Sequence, residues 1–326
     1  MMKRFPVYLA TVAAAVIIGC MPTAAIAQDY PNKPIRIFVG FAPGGPNDIL
    51  ARILGEHFQK AWGQPVVVEH KPGLGGSLAA DQVAKSSPDG YSLLSTGVGA
   101  VAINQSLIPN LGYDPKRDLA PITMTAWTPV VLSVAASVPA TTVAEFIAHA
   151  RREAGKLNHA SPGTGSSSHL AAEAFRLKLG FQSQHIAYRG VPPMNEAMAK
   201  GETQWTFDTP QGAMNLHRQG RVRVLAVAAN ERWPLFPEIP TMKEAGVADF
   251  EVFTWFGLVA PAATPRTIVE ALAREVGLAL RAPGAVERIR NLGMQPVPGT
   301  PEDMQKIIET DTLRWAEVIR AARIKP

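Results

Sequence analysis

The chain of 326 residues has a single cysteine, Cys20, placed where an export signal is expected. Without a second thiol there is no disulfide framework, and once that signal is removed no thiol chemistry remains. Positive charge is not concentrated either. The formal net charge is +5, but Lys and Arg are scattered among Asp and Glu, and no basic run is interleaved with aromatics. That pattern describes a solvated basic surface and gives no reason to expect nucleic acid as a partner. The seven histidines (His57, His70, His149, His159, His169, His185, His217) show no HExxH or other metal-ligand spacing, so no metal is expected. No Gly-x-Ser-x-Gly nucleophile elbow occurs. Neither Gly/Ser loop has the lysine of a P-loop, and Gly73-Leu74-Gly75-Gly76-Ser77-Leu78 departs from the dinucleotide fingerprint at its sixth position. No cofactor is expected. Ser166, His169 and Asp208 are the residue types of a hydrolytic triad, yet no motif joins them, and His169 beside serines reads more simply as a capping residue.

What is present is the composition of a well-cored soluble protein, 47% hydrophobic and 18% charged. Its length suits about two domains. Residues 1–27 read as a signal peptide: Lys3 and Arg4, an apolar run from Phe5 to Gly19, then Ala25-Ile26-Ala27 as a small-x-small cleavage site. Cleavage after Ala27 starts the mature chain at Gln28 and lowers the charge to +3 by removing Lys3 and Arg4. Ile17-Ile18-Gly19-Cys20 offers the competing reading of a lipobox with a lipidated Cys20. Cleavage after Ala27 is preferred because Asp29-Tyr30-Pro31 leads directly into the first strand. Beyond the signal no apolar run reaches the roughly 18 residues of a membrane span.

Short apolar runs then alternate with amphipathic stretches. Ile35–Phe41, Val66–Glu69 and Tyr91–Ser95 read as strands separated by helices over Asp48–Trp62 and Leu78–Lys85, a βαβαβ signature. The theme repeats with strands at Val130–Ala135, Asn158–Ser161, Gln184–Tyr188, Gln204–Asp208 and Val222–Ala228. Helices over Thr142–Arg152 and His169–Leu179, and others from Met194 and Gly212, lie between them. Pro234–Pro240 is a connector, Phe250–Val259 a long apolar strand, and Pro265–Arg281 and Glu302–Arg323 are closing helices. Two such sets, joined through long strands near Leu119–Ala126 and Phe250–Val259, suggest two α/β lobes with mostly parallel sheets. A single large sheet is the alternative.

Two strand-to-helix loops are suited to an anion. Phe41-Ala42-Pro43-Gly44-Gly45-Pro46-Asn47-Asp48 lets the backbone approach a ligand and aims free helix N–H groups outward, with Asp48 as a capping candidate. Ser161-Pro162-Gly163-Thr164-Gly165-Ser166-Ser167-Ser168 adds three hydroxyls. Each alone is equally well a tight turn or a serine cap; the pair in two similar halves favours a ligand between them. Among aromatics, Tyr188 and Trp255 near strand ends are assigned to the cleft, although such residues are core more often than lining.

At these residues the chain resembles the substrate-binding receptors of tripartite tricarboxylate transporters, the Bug family. The resemblance runs through Tyr30-Pro31, Lys33-Pro34-Ile35, Phe41 to Asp48, Ala51-Arg52 and Lys71 to Gly76. It continues in Ser87 to Leu94, Tyr113-Asp114-Pro115, Asp118 to Ile122, Ser166 to Ala171 with Glu173, Tyr188-Arg189-Gly190, Pro193, Trp255 to Leu258 and Ala260-Pro261. The resemblance implies a two-lobed type II periplasmic-binding fold with two crossover strands at the hinge, closing like a flytrap. It implies a signal peptide (1–27), one lobe of 28–124 with 250–326, and a second of 125–249. By position, Phe41, Gly44, Gly45 and Asp48 belong to one jaw and Ser166, Ser167 and Ser168 to the other. Thr96, Tyr188 and Asp208 match cleft positions between them, Asp208 as an acceptor for a ligand amine or hydroxyl or, equally, a hinge carboxylate.

The implied function is that of a monomeric periplasmic receptor, not an enzyme, that captures a small carboxylate and hands it to the transporter's membrane subunits. A ligand-sensing receptor and a periplasmic hydrolase are the competing classes. Two departures, Gly201-Glu202-Thr203-Gln204 before Trp205 where Gly-x-Val-Asp is usual, and Trp127 where a smaller residue is usual, suggest an enlarged or more aromatic far end of the pocket.

Overall fold

The computed structural model describes residues 30–325; the signal-peptide reading and Cys20 lie outside the described residues. Strands β1 (Ile35–Val39), β2 (Val66–His70) and β3 (Ser92–Gly97) alternate with helices α1 (Pro46–Trp62) and α2 (Ser77–Ala84). A π-helical turn over Gly99–Ile103 runs into α3 (Asn104–Leu107), and α4 (Pro115–Asp118) precedes the long strand β4 (Leu119–Pro129). The second set holds β5 (Val131–Ala135), α5 (Val143–Arg152), β6 (Asn158–Ser161), α6 (Ser167–Leu179) and β7 (Gln184–Ala187). It continues with α7 (Val191–Lys200), β8 (Trp205–Asp208), α8 (Pro210–Arg218) and β9 (Val222–Val227). The chain closes with β10 (Phe253–Pro261), α9 (Arg266–Arg281), α10 (Pro283–Asn291), β11 (Gln295–Pro296) and α11 (Pro301–Ala322).

The strands form a six-stranded sheet, β11-β4-β10-β3-β1-β2, and a five-stranded sheet, β7-β6-β8-β5-β9. The parallel pairing expected from the βαβ pattern is present in β2-β1-β3 and β7-β6-β8. Both sheets are nevertheless mixed, because β10 pairs antiparallel with β3 and β4, and β5 antiparallel with β8 and β9. The cause is topological. β10 and β5 are the strands by which the chain enters a lobe from the waist, so they run against neighbours whose ends point toward it. At that waist the N–H of Val130 donates to the carbonyl of Val252 (3.0 Å), and the N–H of Ala228 donates to that of Val130 (2.8 Å).

Local chemistry sets the helix ends that matter below. α1 begins at Pro46, a residue whose missing N–H costs nothing at the first helical position, after Gly45 as N-cap. It stops at Gly63 in the left-handed region (φ 69°) and buries Leu50, Ile53, Leu54 and Phe58 against the first sheet. α5 carries the capping box Thr142/Glu145. In the second lobe Trp205, fully buried, packs with Phe146, Phe175, Phe181 and Phe207. Trp127 stacks on Phe253 (4.8 Å) beside Trp233 at the waist. Trp205 is therefore core and Trp127 hinge packing; the expectation that they reshape the ligand pocket does not hold. Among the described residues no helix is long and apolar enough to cross a membrane.

Candidate functional site

A cavity of about 560 Å³, its mouth included, opens between the lobes. That volume has room for a small solute. Four helices begin on its wall. Gly45, Ser166, Val191 and Thr209, which line it, are the N-cap or first residues of α1, α6, α7 and α8. Each helix start carries the equivalent of about half a positive charge. Prolines at 46, 192, 193 and 210 lack N–H groups, so the donors available by helix position include Asn47 on one side and Ser167 and Ser168 on the other. Among the described residues that line the cavity, none has a charged side chain. Apolar walls come from Phe41, Val98, Pro162, Val191 and Phe256. An anion held here is met by dipoles and hydroxyls, without a counter-ion.

The first jaw is held by a buried carboxylate. Asp48, 3% exposed, accepts from the N–H of Gly44 (2.9 Å) and Arg52 Nε (3.0 Å), and its Oδ1 lies 2.8 Å from His70 Nε2. Burial alone would raise its pKa; the Gly44 N–H, Arg52 and His70 together outweigh that and hold it below the usual carboxylate range. Asp48 and Gly44 do not themselves line the cavity. They shape the turn, with Gly44 at φ 84°. We expect Asp48→Ala to cost about 2 kcal/mol in urea unfolding, since it leaves the Gly44 N–H, the Arg52 guanidinium and the His70 imidazole without their charged acceptor; a loss under about 0.5 kcal/mol would show that the turn stands without it.

The second jaw is capped by Ser166, whose Oγ accepts from the His169 N–H (3.2 Å), while the N–H of Gly165 donates to His169 Nδ1 (3.2 Å). Two of the three triad residue types, Ser166 and His169, are thus occupied in local capping. The lobes meet at backbone carbonyls: the N–H of Ala42 donates to that of Arg189 (2.8 Å), and the Gln211 side-chain Nε2 donates to that of Gly44 (3.2 Å). A Cβ on Gly99 would lie 2.7 Å from the carbonyl oxygen of Gly165, and one on Gly75 would meet that of Thr164, so these surfaces close only as glycine.

Of the residues singled out in the sequence, Phe41, Gly45, Ser166, Ser167 and Ser168 come together on the cavity wall. The others lie behind it. Thr96 is buried and donates to the Gly97 carbonyl (3.2 Å). Tyr188 is partly buried and meets Thr203; burial first, then the Glu202 carboxylate, raise its pKa. Trp255 turns its Nε1 to Asp311 on α11 (2.6 Å). Strand alternation is the reason: its neighbours Thr254 and Phe256 face the cavity instead. Asp208 is fully buried beneath Thr209, whose N–H donates to its Oδ1 (2.6 Å), and the side-chain amide of Asn195 lies beside the carboxyl. Burial pushes its pKa up to about 7 against the opposing bonds from Thr209 and Asn195. The sequence reading named the loop of Asn47 without singling that residue out, and did not single out Gly75, Gly97 to Gly99, Val191, Thr209, Thr254 and Phe256. The density of glycine in Gly73-Leu74-Gly75-Gly76 was the available signal for one of them. Among the described residues no group of three or more His, Cys, Asp or Glu is placed to hold a metal ion.

Residues 50–324 match the family model described as tripartite tricarboxylate transporter family receptor. The chain is 34% identical to protein BugT of Bordetella pertussis over 300 residues, 92% of each chain. The R. palustris protein Rpa4515, solved with adipate, is similar at 34% identity and a TM-score of 0.88, over 91% of this chain and 100% of that one. MatC from Rhodopseudomonas palustris, solved with bound malate, is similar at 31% identity and a TM-score of 0.85, over 89% and 100%.

Proposed function

We propose that this chain, which belongs to the tripartite tricarboxylate transporter receptor family, is a periplasmic solute-binding receptor that captures a small carboxylate between its lobes and delivers it to the membrane subunits of a tripartite transporter. The observation that carries the reading is the convergence of four helix starts on one cavity whose lining side chains are uncharged. Such a wall offers positive potential and N–H donors to a carboxylate without requiring a cation to be desolvated with it. Asn47 supports it: this wall residue has a buried side-chain oxygen with no protein partner, as expected of an amide kept for a ligand or an ordered water. Adipate and malate, bound by two similar proteins, are the first acids to try.

In this reading Phe41, Gly44, Gly45 and Asp48 build one jaw and Ser166, Ser167 and Ser168 the other, with Thr96, Tyr188, Asp208 and Trp255 as their support. Lobes of 28–124 with 250–326 and of 125–249 close about the waist of a monomer exported by cleavage after Ala27. Binding favours closure because only the closed form presents both jaws to the ligand. The protein has no catalytic role in it.

A thermal-shift panel of small mono- and dicarboxylates tests this. A ligand at about 100 times its Kd adds roughly 2.7 kcal/mol of apparent stability, a shift of several degrees. Gly45→Val, which puts a branched side chain at the α1 N-cap on the cavity wall, should abolish the shift. A panel in which amines or sugars stabilise the protein and acids do not would defeat the proposal.

A further inference from the structure

Behind the second jaw lie three stacked imidazoles that the capture of a solute does not by itself require. The rings of His169 and His185 are 3.8 Å apart at 16°, and those of His185 and His159 are 5.2 Å apart at 24°. Each ring is tied to the segment leading into α6 or to the strands beneath it. His169 Nδ1 accepts the Gly165 N–H (3.2 Å). His185 Nε2 lies 2.7 Å from Ser161 Oγ, which itself accepts the Gly163 N–H (3.2 Å). His159 Nδ1 lies 3.1 Å from Ser183 Oγ. Gly163 and Gly165 have φ of 153° and 79°, a conformation with few alternatives for fixing its N–H groups.

We propose that His169 is the positioning residue of the second jaw: held neutral with Nδ1 unprotonated by stacking on His185, it fixes the Gly165 N–H and thereby sets the direction of the Ser166–Ser168 helix start. The tautomer follows from the bond, because an Nδ1 that accepts from a backbone N–H has no proton of its own, so the neutral ring carries it on Nε2. A second proton would go on Nδ1, remove that acceptor and place a cation against the His185 face. The charged and titratable groups packed around the ring are Glu173 and Arg176 of α6, His159 of β6 and His185 of β7. Glu173 is paired with Arg176 and lies 3.2 Å from His159 Nε2, so its carboxylate is already engaged. Burial, the largest influence, lowers His169 to about 4 and His185 to about 3. The stack therefore stays neutral through the ordinary range and gives way only in acid. The inference takes from the proposed function only that this loop is a jaw.

The test uses the ligand-free exported protein labelled with ¹⁵N-glycine, with the Gly165 amide protection factor read as a function of pH. Protection in the wild type should fall roughly tenfold or more between about pH 7 and about pH 3.5. His169→Asn, whose side-chain oxygen can replace Nδ1 as acceptor, should keep protection within about threefold of wild type at pH 7 and lose the acid dependence. His169→Leu should lose roughly tenfold at pH 7. A leucine variant protected like the wild type, or an asparagine variant as unprotected as the leucine one, would overturn the assignment. Should the leucine variant fail to fold, the ¹⁵N shift of His169 Nδ1 in the wild type decides: an unprotonated acceptor supports the proposal and an N–H there refutes it. Because no ligand is present, failure here leaves carboxylate capture untouched, and failure of the acid panel leaves this result standing.

Discussion

Replacing Asp208 with Asn should raise stability by about 4 kcal/mol at pH 8 and by almost nothing at pH 4. The carboxyl is fully buried, and its pKa rises from an ordinary 3.8 to about 7. A carboxyl whose pKa is raised on folding contributes fully below its unfolded value, and that contribution is lost as pH rises through the folded one. The window is thus from about pH 4 to about pH 7, and three pH units at about 1.4 kcal/mol each give the figure. Asparagine keeps the acceptor that Thr209 N–H uses and removes the group that must ionise. Urea unfolding at pH 4, 6 and 8, with m unchanged, measures it. The histidines behind the second jaw titrate identically in both proteins and cancel in the difference. A variant no more stable than wild type at pH 8 would mean that Asn195, beside the carboxyl, or water already serves the Asp208 charge.

The stability cost borne at Asp208 was invisible in the sequence, where the residue was an acceptor candidate like any other. What the sequence carried well were features written in local chemistry. Glycine next to proline or serine between a strand and a helix is legible because only certain residues tolerate those backbones, and the two loops picked out that way both contribute to the cavity wall. Five of the eleven residues singled out line the cavity, and they lie at the strand-to-helix turns. The others lie behind it for reasons that local pattern does not contain. Trp255 and Thr254 exchange faces with a one-residue change of register, which depends on how β10 pairs with β4 and β3. Trp127 and Trp205 stood out by type, but side-chain type says nothing about whether tertiary packing turns a ring to a pocket, a hinge or a core. The antiparallel strands were missed because strand direction follows from where the chain enters a lobe, and α10 because its short run has few apolar residues, with Ile289 its one fully buried side chain. The closure surface was the least legible: Gly99 lies in a π-helical turn that no pattern announced, and its partner is 66 residues away in the other lobe (165 − 99).

That surface carries the second large prediction. Gly99→Ala should weaken ligand binding about a hundredfold while leaving the unliganded protein as stable as wild type or more so. The added methyl would lie 2.7 Å from the Gly165 carbonyl oxygen across the cleft, closer than Cβ atoms approach one another's neighbours in real structures, and 3.1 Å from that of Gly75 in its own lobe. The second contact needs a shift of a few tenths of an ångström. Relief of the first requires the lobes to part, because the obstacle is backbone. With the lobes apart, alanine in a helical turn is favoured over glycine by up to about 1 kcal/mol. The same methyl therefore favours the open form and disfavours the closed one, and a difference of about 2.7 kcal/mol between them corresponds to a hundredfold in affinity. Calorimetric titration with the acid that gives the largest thermal shift reads the affinity, and small-angle scattering reads the closure. Binding of that acid to Gly99→Ala with wild-type affinity and full compaction would show that the lobes need not approach to glycine contact when they hold it.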